Sequence, residues 1–161
     1  RDWHSYSVSS ASAFPPKSAF LRSEKIMIET TKPRIFGPIF AYFDGTKKVN
    51  YSSKKSKRTA HPPDGTPIDM MLASLAYCIV VSVIWAAKDY DVTPHPFKVK
   101  VTGTKALNEP GRVAMIDITL IGVLVDDFAI STQIMNKAKA ICTVSNTLNC
   151  DVNVSMDAIN G

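Results

Sequence analysis

The sequence predicts an α+β fold, in which antiparallel strands pack against a long central helix. Residues 70–87 contain no charged side chain and are long enough for several helical turns. Residues 97–101 and 113–123 alternate apolar and polar side chains, which is typical of half-buried strands. With 161 residues and 45% hydrophobic content, the chain can form one domain with its own core.

Strands connected by a hairpin are predicted before the long helix. Residues 24–29 alternate loosely and predict a first strand, while residues 35–43 are aromatic and β-branched and predict a second. Asp44-Gly45 is a hairpin turn sequence that leads into a third strand from Lys48. Pro38 cannot donate a backbone hydrogen bond, so it predicts that the second strand is an edge strand or a bulged one.

The long helix has a well-defined start in the sequence. Thr66 suits the N-cap, Pro67 the first helical position, and Asp69 completes a capping box. The helix must end near Lys88, before Pro94. A helix that is apolar on all sides is expected to be buried, either in a domain core or at the centre of a dimer. A membrane span is the less favoured alternative, because no second such segment exists.

The second half of the chain predicts two strands, a helix and a final strand. A turn at residues 108–111 separates the strands at 97–101 and 113–123. Asp127 begins a helix whose apolar side chains recur at spacings of three and four up to Cys142. Residues 151–156 alternate again and form the last strand. The predicted order is βββ-α-ββ-α-β in a single domain of residues 24–161.

Residues 1–23 differ in composition from the predicted domain. They are rich in serine, poor in acids and interrupted by Pro15-Pro16. This composition agrees with a disordered extension or with the remnant of an organelle transit sequence. An odd number of cysteines without a secretory signal indicates a reducing compartment. We therefore expect the cytoplasm, with the mitochondrion or another organelle as the alternative.

The net charge of +5 comes in part from a basic, serine-rich stretch between Lys47 and Arg58. A solvated loop explains this stretch better than a nucleic-acid surface, because Tyr51 is its only stacking aromatic. His61 and His95 each lie next to proline without ligand spacing, so no metal site is predicted. The sequence has no dinucleotide fingerprint and no phosphate-binding glycine loop, and no cofactor is expected.

Cys78 and Cys142 lie within apolar helical segments, where core side chains are the ordinary occupants. Two buried structural thiols are one interpretation. A redox pair is the other, since a sulfenic acid formed at one cysteine can condense with a second thiol. Cys142 would then be the resolving thiol, because it ends an apolar helix face that must pack in the core.

A peroxide-reducing cysteine must be a thiolate, although an unassisted thiol has a pKa of about 8.5. Cys78 lies about three turns inside its helix, too far from the N-terminus for the helix dipole to help. A cation from elsewhere is therefore required, and arginine is always charged. Arg34, at the start of a strand, is the first candidate, and Arg58 is the second.

Two motifs resemble those of the OsmC/Ohr family, the osmotically inducible and organic hydroperoxide resistance proteins. The first is Thr66-Pro67-Ile68-Asp69 followed by the apolar run to Cys78, and the second is Cys142-Thr143-Val144-Ser145-Asn146. The resemblance extends from about Glu24 to the end of the chain. It implies an intertwined homodimer with two active sites at the subunit interface.

By this resemblance the chain is a cysteine-based hydroperoxide reductase that acts on organic hydroperoxides. Cys78 matches the peroxidatic thiol, Cys142 the resolving thiol, and Arg34 the arginine of the N-terminal hairpin. Dihydrolipoyl proteins or other dithiols are the implied reductants. Neither nucleic acid nor a membrane is an expected partner.

The sequence departs from the family pattern at the start of the helix. Where the hydroperoxide-resistance branch has a glutamate that holds the arginine, this chain has Ile68, and Asp69 is either its substitute or simply the helix cap. Phe128 and other bulky apolar residues suit an alkyl hydroperoxide. The departure at Ile68 also motivates an alternative function, a non-catalytic or weakly active dimer that binds a small apolar ligand or partner.

Overall fold

A computed structural model describes residues 32–46, 48–108 and 111–158. The predicted strand at 24–29 and the extension at 1–23 lie outside the described residues, as do two residues of the predicted turn at 108–111. In chain order the described elements are β1 (Ile35–Phe43), β2 (Val49–Ser53), α1 (Pro67–Lys88), β3 (Phe97–Lys105), β4 (Val113–Ile121), α2 (Phe128–Ile141), α3 (Thr143–Thr147) and β5 (Asp151–Asp157). The mixed α+β class is confirmed.

The described strands form one five-stranded sheet in the order β2-β1-β3-β4-β5. β1 and β2 pair antiparallel around the predicted turn at Asp44-Gly45. β1 is therefore an inner strand, and the irregularity that Pro38 requires is a bulge between Phe36 and Ile39. Gly37 makes this bulge feasible, because its φ of +80° is unfavourable for residues with a side chain.

α1 begins and ends where the sequence predicts. The capping box is present: the Thr66 side chain accepts the Asp69 N–H, and Asp69 accepts the Thr66 N–H. One face of α1 is buried against β1, β3 and α2. Its residues there include Leu72, Leu75, Ile79 and Val83, all with fully buried side chains.

The opposite face of α1 is exposed in the single chain, so the helix is not buried on every side within it. Met70, Tyr77 and Trp85 are large exposed side chains on this face, and Val81 and Ile84 are half-buried between them. We call these five residues the apolar stripe. By length and composition α1 could also cross a membrane, but 56% of its most apolar window is buried inside the described chain. Core helices of soluble proteins show the same pattern.

The prediction of a purely antiparallel sheet is wrong for one pair of strands. β4 and β5 run parallel, with Met115 opposite Asp151 and Ile121 opposite Asp157. After β4 the chain passes through α2 and α3 and returns to the end of the sheet at which β4 began. β5 therefore runs in the same direction as β4, and the two strands pair in parallel. α3 was not predicted from the sequence. It consists of Thr, Val, Ser and Asn, which are weak helix formers.

Candidate active site

The sulfur atoms of Cys78 and Cys142 meet between α1 and the junction of α2 with α3. The Cys142 Sγ donates a hydrogen bond to the Cys78 Sγ over 3.0 Å, across 64 positions of sequence. Both cysteines are free thiols. The pair is therefore reduced but within reach of disulfide formation, which requires only a short approach of the two sulfurs.

The two sulfurs differ in exposure. Cys78 is half-buried on α1, beside the apolar stripe, whereas Cys142 has 0% exposed surface. Tyr77 lies next to Cys78 on the exposed side of α1, and its ring centroid is 6.4 Å from that of Tyr51. Cys78 is thus the more accessible sulfur of the pair, next in the chain to the exposed Tyr77.

Cys142 is held in place as a residue shared by two helices. It is the C-cap of α2 and the N-cap of α3. The N–H of Ser145 donates to the Cys142 Sγ over 3.5 Å, and the Ser145 Oγ donates to the Cys142 carbonyl over 3.1 Å. The Cys142 sulfur thus accepts the hydrogen bond that a side-chain oxygen accepts where serine or aspartate is the N-cap.

Burial raises the pKa of the Cys142 thiol, and the hydrogen bond to Cys78 raises it further. The hydrogen bonds from Ser145 oppose this change and lower the pKa. The net direction is upward, so Cys142 is a protonated thiol at neutral pH. This agrees with its role as the donor toward the Cys78 sulfur.

Cys150, the third cysteine, lies just before β5 and is half-buried. Burial raises its pKa, nearby Asp151 raises it further, and Arg112 lowers it. The hydrogen bonds of the Cys78–Cys142 pair do not include Cys150.

Arg34 and Arg58 lie elsewhere in the single chain. The Arg34 guanidinium lies 5.3 Å from the centroid of the Phe36 ring, and the Arg58 guanidinium lies 3.8 Å from that of Tyr42. Within the described residues, neither arginine donates a hydrogen bond to Cys78. Arg34 lines a cavity of about 420 Å³ that also contains Asp69, at the N-terminal end of α1.

The predicted substrate-binding residues also lie apart from the sulfurs. Asp69 accepts hydrogen bonds from the Thr66 N–H and hydroxyl, both over 2.8 Å. These contacts belong to the cap of α1. Ile68 is half-buried against the core. Phe128 is 69% exposed at the start of α2, and Cys142 follows the end of that helix, about 20 Å away at 1.5 Å per residue.

The structure adds two residues that the sequence did not single out. Ser145 is buried beside Cys142, and the Nζ of Lys139 donates to its hydroxyl over 3.3 Å. The only sequence signal for Ser145 is its place in the second motif, three positions after Cys142. Lys139 precedes Cys142 by three positions, so the last turn of α2 brings it near. Among the described residues no group of three or more His, Cys, Asp and Glu side chains converges as metal ligands.

Known proteins resemble this chain in sequence pattern and in fold. A family model described as OsmC-like protein matches residues 60–157, which include both cysteines. No relative was found among curated protein sequences.

Solved structures share the fold at low sequence identity. One is an organic hydroperoxide resistance protein OsmC, a predicted redox protein from Legionella pneumophila, with 11% identity, a TM-score of 0.51, and coverage of 79% of this chain and 97% of that one. Another is a hypothetical protein from Aquifex aeolicus VF5, with 13% identity, a TM-score of 0.51, and coverage of 79% and 96%. At such identities these structures support the fold alone. The family model spans more than half of the sequence, and the chain belongs to the OsmC-like protein family.

Proposed function

We propose that this protein is a thiol-dependent peroxidase that reduces organic hydroperoxides, with Cys78 as the peroxidatic cysteine and Cys142 as the resolving cysteine. The observation that carries the proposal is the 3.0 Å hydrogen bond between the two sulfurs. The family membership supports it, and a solved structure of this fold, from Legionella pneumophila, is described as an organic hydroperoxide resistance protein.

The reaction follows from the positions of the two sulfurs. Cys78 gives up its thiol proton and its sulfur attacks the terminal oxygen of the hydroperoxide. The O–O bond breaks, and the alkoxide leaves as an alcohol with the proton that Cys78 released. Cys78 is then a sulfenic acid. The Cys142 sulfur attacks the Cys78 sulfur, the S–O bond breaks, and the hydroxyl group leaves as water with the proton of Cys142. A Cys78–Cys142 disulfide remains.

The first step changes the electrostatic surroundings of Cys142. In the reduced pair, Cys78 is one of the causes that raise the pKa of Cys142. A neutral sulfenic acid at Cys78 no longer repels a thiolate at Cys142. Cys142 thus serves as a hydrogen-bond donor before peroxide attack and as a nucleophile after it.

A dithiol completes the cycle by exchange with the disulfide. The dithiol is oxidised while both cysteines return to thiols, as occurs with a dihydrolipoyl group. The half-buried Cys78 is the sulfur that such a reductant can approach.

We also propose that two chains form a homodimer through the apolar stripe of α1. A large exposed stripe on the longest helix of the domain is typical of an interface. The stripe borders Cys78, so a second copy would close the site and exclude water from it. An enclosed apolar site suits alkyl hydroperoxides better than hydrogen peroxide.

The central experiment measures consumption of tert-butyl hydroperoxide in the presence of excess dithiothreitol. The wild type should turn over, and Cys78→Ser should be inactive, because it removes the only sulfur accessible in the pair. Cys150→Ser is the matched control, since Cys150 lies outside the pair. Normal turnover by Cys78→Ser would disprove the proposal.

A weakly active or non-catalytic dimer that binds a small apolar ligand or partner is the second candidate. It is favoured by the positions of Arg34 and Arg58, whose guanidinium groups lie over aromatic rings. Mass spectrometry after one equivalent of peroxide separates the two functions. A Cys78–Cys142 disulfide supports catalysis, and two unmodified thiols support the binding function.

A further inference from the structure

Cys142 is connected to a positive charge through Ser145. The Lys139 Nζ donates to the Ser145 Oγ over 3.3 Å, and Ser145 in turn contacts Cys142 through its N–H and its hydroxyl. Ser145 is only 4% exposed, so water does not compete for these hydrogen bonds. The peroxide step proposed above uses neither Lys139 nor Ser145.

The second step of the reaction, disulfide formation, requires hydrogen-bond donors that stabilise the Cys142 thiolate. Cys142 must lose its proton to attack the sulfenic acid, yet burial raises its pKa and persists after Cys78 has been oxidised. Of the causes that act on the Cys142 pKa, the hydrogen bonds from Ser145 are those that lower it and so favour the thiolate. Ser145 provides these donors from the first turn of α3.

Lys139 determines what the Ser145 hydroxyl can do. A serine hydroxyl has one hydrogen and two acceptor lone pairs. The lysine ammonium occupies a lone pair, so the hydrogen points away from Lys139, and the Cys142 carbonyl at 3.1 Å is a nearer acceptor than the Asn146 Oδ1 at 3.5 Å. In the reduced protein the hydroxyl donates to the Cys142 carbonyl, and a hydrogen bond from the Ser145 side chain also lowers the pKa of the Cys142 thiol.

We propose that Ser145 stabilises the Cys142 thiolate during disulfide formation and that Lys139 is the positioning residue that orients the Ser145 hydroxyl for this task. This inference rests on the proposed function and concerns its second step, the formation of the disulfide. The proton released by Cys142 leaves with the hydroxyl group of the sulfenic acid as water, so the step remains balanced.

Few other ionisable groups act on this sulfur. Among the described residues, α1 places Cys78 beside the sulfur, α2 brings Lys139 to Ser145, and α3 contains no ionisable side chain. Lys137, one half-turn earlier on α2, pairs instead with Asp89. Asp151 of β5 acts on Cys150.

The test measures ionisation of Cys142 directly, without peroxide. In a Cys78→Ser, Cys150→Ser background the thiolate absorbance near 240 nm reports Cys142 alone, after subtraction of the triple variant that also carries Cys142→Ser. We expect Lys139→Met and Ser145→Ala to lower the thiolate population at a given alkaline pH by about two- to tenfold, the range that one hydrogen bond spans. Lys139→Arg should restore most of it.

Lys137→Met is the matched control, because it removes a neighbouring charge from the same helix without touching Ser145. An unchanged titration in both Lys139→Met and Ser145→Ala would overturn the proposal, and so would an equal change in Lys137→Met. Circular dichroism verifies the fold of each variant, and Lys139→Leu, which also lacks a donor, replaces Lys139→Met if that variant is unfolded. Since no peroxide is used, the outcome is independent of whether the protein is a peroxidase.

In the protein with all its cysteines, the same variants separate the two steps. Lys139→Met should consume the first equivalent of peroxide at the wild-type rate but form the disulfide about two- to tenfold more slowly, with its pH profile moved to higher pH. Disulfide formation at the wild-type rate and pH profile would contradict the assignment.

Discussion

Cys142 donates its thiol hydrogen to the sulfur of Cys78 over 3.0 Å, although the two residues lie on different helices. The contact exists because α1 packs along α2 and the chain turns from α2 into α3 at Cys142. A buried donor thus faces a more exposed acceptor. The different exposure of the two sulfurs is the basis for assigning them different roles.

Replacing Cys142 should separate peroxide reduction from disulfide formation. In Cys142→Ser we expect one equivalent of organic hydroperoxide to be consumed and a sulfenic acid to accumulate at Cys78, because no resolving thiol remains. Dimedone labelling followed by mass spectrometry detects it. Cys150→Ser should show the wild-type disulfide instead, and a disulfide between Cys78 and Cys150 in the Cys142 variant would contradict the assignment.

The cap of α1 should contribute to stability and not to chemistry. Thr66→Ala and Asp69→Ala should each lower the free energy of unfolding by about 1 kcal/mol, since each removes one half of the capping box. The double variant should lose less than the sum, because the two side chains act on each other. Urea denaturation measures these changes.

The same Asp69→Ala variant decides whether Asp69 replaces the family glutamate. If Asp69 is only a cap, the peroxidase rate of the folded variant at a temperature well below its melting point should equal that of the wild type. A large loss of rate with the fold intact would instead assign to Asp69 the role of holding Arg34, with which it shares a cavity.

Stability of the reduced protein should fall at alkaline pH. The pKa values of Cys142 and Cys150 are raised in the folded chain, so above about 8.5 the unfolded chain releases protons that the folded chain retains. The stabilisation is therefore fully present below pH 8.5 and is lost as pH rises through the folded-state pKa values. The melting temperature should be lower at pH 9.5 than at pH 8, and the difference should be smaller in Cys142→Ala.

Charge on the apolar stripe should dissociate the proposed dimer. Trp85 is 61% exposed in the single chain, so Trp85→Glu should leave the fold intact but weaken dimerisation at least about tenfold, because a carboxylate would be buried at the interface. Sedimentation equilibrium measures this change. Phe128→Glu is the control, since Phe128 is also an exposed aromatic residue (69%) but lies at the start of α2. Dissociation by both variants, or by neither, would contradict an interface on the stripe.

The fold could be predicted largely from local patterns. The capping box and the prolines on either side of α1 define its ends within the sequence, and the alternation of β3 and β4 is unambiguous. The parallel pairing of β5 depends on where α2 and α3 direct the chain, which no local pattern contains. α3 was missed because its residues are weak helix formers and Cys142 is an unusual cap.

The candidate site was predicted in part. Cys78 and Cys142 were recognisable from two motifs, but their contact depends on how α1 and α2 pack, and periodicity alone leaves this open. The placement of Arg34 depends on the path of the chain before β1 and on the partner of its guanidinium, here the Phe36 ring. Lys139 could not be singled out, because a lysine in the last turn of a helix is ordinarily explained by the helix dipole.

The complete burial of Cys142 has one last consequence. Oxidants dissolved in water can reach Cys78 but not Cys142. Oxidation beyond the sulfenic acid, to sulfinic and sulfonic acids, should therefore occur at Cys78. Once Cys78 is part of the disulfide, its sulfur is protected from this further oxidation. In the proposed cycle, the shielded Cys142 thus stays available to form the disulfide that protects Cys78.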